Sequence, residues 1–142
     1  MLRTTRPILA ASLFLTGSFS CRPAEDPYAR AHRIETLDQR VGGTKSLTNV
    51  GDFVLENGHL RVGILAATNP DGSERHSPGP HTWGGGMVDA DLVLPGNRSG
   101  RGNDSFAELM PTANMNIIRT DSAESVQIIS DGSDGGPAII RV

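Results

Sequence analysis

The chain has 142 residues, 37% of them hydrophobic, with 13 Lys and Arg set against 16 Asp and Glu for a formal charge of −3. That balance lacks the basic surface by which nucleic acid or an anionic bilayer is held electrostatically, so neither is expected as a partner on those grounds. Seventeen glycines with one Trp and one Tyr imply many turns and few large core side chains.

Met1–Arg6 carries Arg3 and Arg6 and no acid, Ile8–Leu15 is a weakly polar-to-apolar run, and Gly17, Ser18 and Ser20 are small. This is the layout of an export signal, residues 1–20, cleaved at the Ser20–Cys21 bond. The run falls short of the about 20 apolar residues that cross a bilayer, so a retained anchor helix is not expected. Cys21, the only cysteine, then becomes the new N-terminus. A cysteine in that place is where bacteria attach a lipid. Ser18 and Phe19 depart from the usual lipobox, which has Leu three residues before the cysteine and a small residue two before. Ser18-Phe19-Ser20 also suits an ordinary signal peptidase. The expectation is therefore a protein of the bacterial cell envelope, joined to the membrane by a lipid on Cys21, with simple periplasmic or secreted export as the alternative. A lone thiol forms no internal disulfide.

Residues 21–46 read as a tether. Arg22–Pro27 holds two prolines and no apolar period, so it is expected to be extended and solvated. Ile34, Leu37 and Val41 are spaced to allow a short helix before Gly42-Gly43, with an irregular linker as the alternative.

Residues 47–142 read as a β-rich domain. Asp52–Glu56 and His59–Leu65, joined by Asn57-Gly58, predict a hairpin with a type I′ turn, since Asn-Gly tolerates positive φ at both central positions. In that register Glu56 faces His59 and Phe53 faces Val62. One face carries Phe53, Leu55, Leu60, Val62 and Ile64, and the other carries Glu56, His59 and Arg61. Residues 69–86 are loop by composition, and Met87–Leu94 alternates as a strand. Pro95–Asp104 is a second loop. Phe106–Met110 allows one helical turn before Pro111. Asn114–Thr120, Glu124–Ser130 and Ala138–Val142 read as strands, the last two joined by a turn over Asp131–Gly136. The pattern predicts an all-β fold, an antiparallel β-sandwich, because a half-buried sheet needs a second layer. The chain stops within an apolar strand-like run, which suggests an incomplete portion of a larger β protein. A complete small sandwich is the alternative.

Several clusters invite chemistry. His76, His81 and Trp83 lie in one polar loop, where two histidines suit zinc and an exposed Trp stacks on a sugar. Metal sites need further ligands at recognisable spacing, however, and none accompanies them. His81 and Trp83 thus remain a weak ligand-contact loop, for a carbohydrate or other small molecule, against the plainer reading of a polar loop with one anchoring Trp. Asp89 and Asp91 share a strand face at about 7 Å, which could bracket a metal or a glycosidic bond. Such a pair is more often the solvated edge of a half-buried strand. Asp131–Gly136 alternates oxygen ligands with glycines but lacks the spacing and bidentate acid of a calcium loop, so a tight turn explains it. The segment Gly96–Asp104 has two arginines for an anion but no Gly-Lys-[Ser/Thr] ending. Asn97-Arg98-Ser99 is a glycosylation sequon, uninformative in a bacterial protein. No Gly-x-Ser-x-Gly or His-Glu-x-x-His motif occurs. No catalytic residues, metal ligands or cofactor are therefore assigned within the chain.

Gly51–Val62, followed by Gly84–Leu92, resembles the opening of large β-sandwich domains of the galactose-mutarotase-like kind. Asp104–Pro111 and Asp131–Ala138 resemble the front of large exported bacterial proteins, some of which carry a PHP-type metal-dependent hydrolase domain further along. The resemblance spans about residues 40–142 and rests on turn and strand patterns. It implies metal-binding histidines beyond this sequence, with none of His59, His76 or His81 assigned as one. Two functions follow as expectations. One is a lipid-anchored envelope module with a structural or ligand-binding role that presents loops such as 69–86 and 95–104. The other is the accessory N-terminal part of a metal-dependent hydrolase or carbohydrate-active enzyme.

Overall fold

The structure, a computed structural model, describes residues 28–77, 82–93, 108–110, 112–113, 116–117, 119–120 and 122–142. Cys21 and the signal lie outside them, as do His81 and loop 95–104. The described fold is all-β and contains no α-helix among those residues. An antiparallel sheet runs β1 (Ala29–Arg33), β2 (Phe53–Asn57), β3 (Leu60–Ile64) and β4 (Met87–Leu92) in that spatial order. A short pair, β5 (Thr112–Ala113) with β6 (Asn116–Ile117), and a hairpin, β7 (Gln127–Asp131) with β8 (Ala138–Arg141), follow.

β1 corrects the expectation of a helix or linker over Ala29–Val41. Helical spacing would put Ile34, Leu37 and Val41 on one side. Instead Ile34 and Val41 are buried against Val54 while Leu37 is 57% exposed. The free edge of β2 gives the backbone of β1 a full ladder, Arg30 opposite Glu56 and Arg33 opposite Phe53. That tertiary pairing outweighs a weak local preference. Leu37–Gln39 forms only a 3₁₀ turn, closed by Gln39 Oε1, which accepts the N–H groups of Glu35 and Thr36.

The β2–β3 hairpin forms, but its register is shifted by two residues. Glu56 faces Arg61 and Phe53 faces Ile64, so Gly58 and His59 are the loop residues. Gly58 does not have a positive φ, which rules out the type I′ turn. Asn57 closes the turn with its side chain, Oδ1 accepting the N–H groups of His59 and Leu60 at 2.8 and 2.9 Å. Asn and Asp do this readily two residues along a turn. A shift of two keeps every side chain on its expected face.

On the apolar face, Phe53 and Ile64 pack with Ala66, Ala67 and Val126, and Ile128 and Ile140 of the β7–β8 hairpin lie over them. The other face is crossed by residues 41–52. Here Asp89 is fully buried, its carboxylate accepting the N–H groups of Leu47 and Thr48 at 2.7 and 2.8 Å and the hydroxyls of Ser46 and Thr48. Gly63 permits the approach, since a Cβ there would lie 2.4 Å from Thr48 Cγ2. Asp52, also buried, binds the N–H groups of Asn49 and Ala66 and pairs with Arg75 at 2.7 Å.

In the later part of the chain, the expected single strand Asn114–Thr120 is replaced, among described residues, by the short β5–β6 pair. Residues 106–107 of the expected helical turn lie outside the described residues. Leu109 is extended and exchanges two backbone hydrogen bonds with Met87.

Candidate functional site

The segment after β3 folds back twice. Asn69–Gly72 is a tight turn in which the Gly72 N–H donates to Asn69 O at 2.9 Å with Gly72 at φ 84°. Asp71 accepts the Ser73 hydroxyl and N–H, and these bonds hold its carboxyl below the usual carboxylate range. Thr68 then bridges Glu74, and His76 bridges Trp83. A second turn closes with the Gly86 N–H donating to Trp83 O at 3.1 Å and Gly85 at φ 84°. Only a residue without Cβ fits at Gly84, where a Cβ would sit 2.4 Å from Ala67 Cα and 2.6 Å from Ala66 O. The backbone of Gly85 and Gly86 is thereby bonded to Leu65.

These turns place Trp83, half-buried, on a surface shared with Glu74 and Arg119. The guanidinium of Arg119 lies 5.7 Å from the indole centroid and pairs with Glu74 through two bonds of 2.5 and 2.6 Å. The fork-to-fork pairing fixes the plane of the arginine, and an arginine over an indole is a favourable cation–π contact. The result is an aromatic surface flanked by a neutralised ion pair, which offers stacking area and hydrogen-bonding edges together. His76 is exposed, and its Nδ1 donates to Ser77 O at 3.0 Å. His81, the other residue expected in this loop, lies outside the described residues.

The remaining expected sites resolve differently. Asp89 and Asp91 do not form an open carboxylate pair, nor is Asp89 a solvated edge. Asp89 is consumed by its four donors, and Asp91 accepts its neighbour's N–H at 2.8 Å. In Asp131–Gly136, Asp131 accepts Ser133 N–H and Asp134 accepts Gly136 N–H, both at 2.8 Å, with Gly132 and Gly135 at positive φ. The Ser133 hydroxyl and N–H, followed by the charge of Arg30, hold the Asp131 carboxyl below its ordinary range. Among the described residues no three His, Cys, Asp or Glu side chains converge as a metal site.

Sequence reasoning missed Arg119 and Glu74, which are 45 residues apart and carry no shared motif. It also missed Asp52 and Arg75. An acid immediately before an apolar strand, Asp52-Phe53-Val54, is the one signal that marks such a buried anchor. No protein-family model matches the chain, and no curated protein or solved structure matches it either.

Proposed function

We propose that this is an exported module of the bacterial cell envelope, held to the membrane by a lipid on Cys21 and serving a structural or ligand-binding role. The observation that carries the reading is the place of the only cysteine, directly after an export signal and seven residues ahead of Tyr28. A fully extended span of that length reaches about 25 Å at most, so a lipid on Cys21 would keep the sheet close to the bilayer surface. The β7–β8 hairpin lying over Phe53 and Ile64 supports an antiparallel sandwich for the domain. That agrees with the resemblance to galactose-mutarotase-like openings. In this reading Trp83 with Arg119 and Glu74 is the contact surface, and its ligand class is a carbohydrate or another small polar molecule.

A cysteine carrying a diacylglycerol and a further acyl chain anchors stably, since one chain alone binds only marginally. The test is the intact mass of the native protein extracted in detergent, together with membrane fractionation of Cys21→Ser. A lipidated N-terminal Cys21 and release of the variant into the soluble fraction are expected. An unmodified Cys21, or a variant that still sediments with membranes, would sink the anchor. If the native species is much larger than this chain, the module is the front of a longer protein and the accessory-domain reading takes over.

A further inference from the structure

A cleft of about 500 Å³ opens where β1 leaves the sheet, between Arg33 and Glu35 on one side and the turn of Asn69, Pro70 and Gly72 on the other. That volume falls within the range of small-molecule sites. Arg33 is held in two ways. Its Nε donates to Gly51 O at 2.8 Å, and its guanidinium carbon lies 5.4 Å from the centroid of the Phe53 ring, its cross-strand neighbour. These contacts fix the planar head and leave both terminal nitrogens without an acceptor among the described residues. Glu35 follows two residues later. Ile34, buried between them, continues the ladder with backbone bonds to Asp52 and Gly51, so Arg33 and Glu35 share a side at about 7 Å between Cα atoms. The Glu35 carboxylate has no donor among the described residues, although its N–H is bonded to Gln39 Oε1. Across the cleft, Asn69 Nδ2 donates to Ser73 Oγ and Glu74 O, which fixes the amide and leaves Oδ1 as an acceptor.

We propose that this cleft binds a small zwitterion of amino-acid or dipeptide size, its carboxylate on the terminal edge of Arg33 and its ammonium on Glu35. A guanidinium whose Nε is already engaged presents its two terminal nitrogens as a fork, which matches a carboxylate bidentately. A simple anion would satisfy Arg33 and leave Glu35 as a like charge nearby. A ligand with both charges satisfies the pair, so complementarity supplies the selectivity. This assignment stands apart from the anchor and holds whether or not Cys21 is acylated.

The test is an NMR titration of the isotope-labelled full-length protein in detergent with alanyl-alanine, alongside acetate and ethylammonium as singly charged controls. The expected result is saturable shifts at residues 33–35, 50–51 and 68–72 with a Kd of about 1 mM, and binding at least about tenfold weaker for each control. Arg33→Gln is expected to abolish the shifts, and Glu35→Gln to weaken the dipeptide to the level of acetate. The Glu35 side chain makes no hydrogen bond or ion pair among the described residues, so that variant tests the ligand contact with the fold intact. No saturable shift up to about 20 mM, equal affinity for acetate and dipeptide, or an unaltered titration in Glu35→Gln would each overturn the proposal.

Discussion

The two faces of the four-stranded sheet are built in opposite ways. The face rich in leucine and valine is incompletely covered, with Leu60 41% and Leu92 65% exposed although they are cross-strand partners. The face that carries Arg61 and Asp89 is the better enclosed, with Val54 and Asp89 at 0%. Burial here follows partnering rather than side-chain type. A buried carboxylate is costly unless its lone pairs are filled, and Asp89 has two N–H groups and two hydroxyls to fill them. Leu60 and Leu92 face no such demand, because exposed apolar atoms are common on any folded surface. The polar face also carries a row of alternating charge, Arg30 opposite Glu56, Glu56 opposite Arg61 and Arg61 opposite Asp91. Arg61 sits 2.8 Å from Glu56 and donates to Gln39 O at the same distance, which ties the 3₁₀ turn to the sheet.

The sharpest way to break this contrast is Asp89→Ala. It would strand the N–H groups of Leu47 and Thr48 in the interior and release residues 46–48 from the sheet. A loss of about 3–5 kcal/mol is expected by urea denaturation, a large share of the about 5–15 kcal/mol that holds a domain folded. Asp89→Asn retains shape and part of the hydrogen bonding and should cost less. If Asp89→Ala unfolds at the wild-type midpoint, residues 41–52 are not held to the sheet in this way. Gly63→Ala attacks the same contact by volume. Thr48 Cγ2 would have to move, yet the Thr48 hydroxyl and N–H are both bonded to Asp89. A cost of about 1–3 kcal/mol follows, as for other overpacked interiors, and calorimetry would read it as a lower Tm.

The same contrast explains how much could be read in advance. The all-β class, the β2–β3 hairpin and the β7–β8 turn were legible because alternation and turn residues are local signals. The side of each strand was legible too, since Phe53, Leu55, Leu60, Val62 and Ile64 share a face under either register. The enclosure of the opposite face was not. It depends on residues 46–48 reaching Asp89, some forty positions away, and nothing in either stretch announces the other. β1 was missed for a similar reason, because its strand character comes from the edge of β2 rather than from Ala29–Arg33 itself. Of the candidate site, Trp83 was visible as the only tryptophan, whereas Arg119 and Glu74 meet it through the fold alone.

The hairpin turn sharpens the comparison at lower energy, because two adjacent residues make opposite claims on it. Asn57 works through its side chain, so Asn57→Ala should cost about 1 kcal/mol as two turn N–H groups lose their acceptor. Gly58 has no positive φ and open space where a Cβ would stand, so Gly58→Ala should be within a few tenths of a kcal/mol of wild type. A type I′ turn would reverse the order, with Gly58→Ala the more damaging. The two melting curves, side by side, decide which turn the chain uses.

The smallest effect is expected where hydrophobic patterning alone would predict a large one. Leu92 pairs with Leu60 across the edge of the sheet, and by sequence both belong to the core face. Burying a leucine fully is worth about 1.5–3 kcal/mol, but most of the Leu92 surface already meets water. Leu92→Thr therefore removes little buried area and places a β-branched residue in an edge strand that suits it. Its stability should stay within about 0.5 kcal/mol of wild type. The outcome separates two origins for that exposed pair. A neutral change in the isolated protein means that the sheet does not rely on Leu92 for its own stability. A loss above about 2 kcal/mol would mean that something covers this face in solution, and the contrast between the faces would then belong to the isolated chain only.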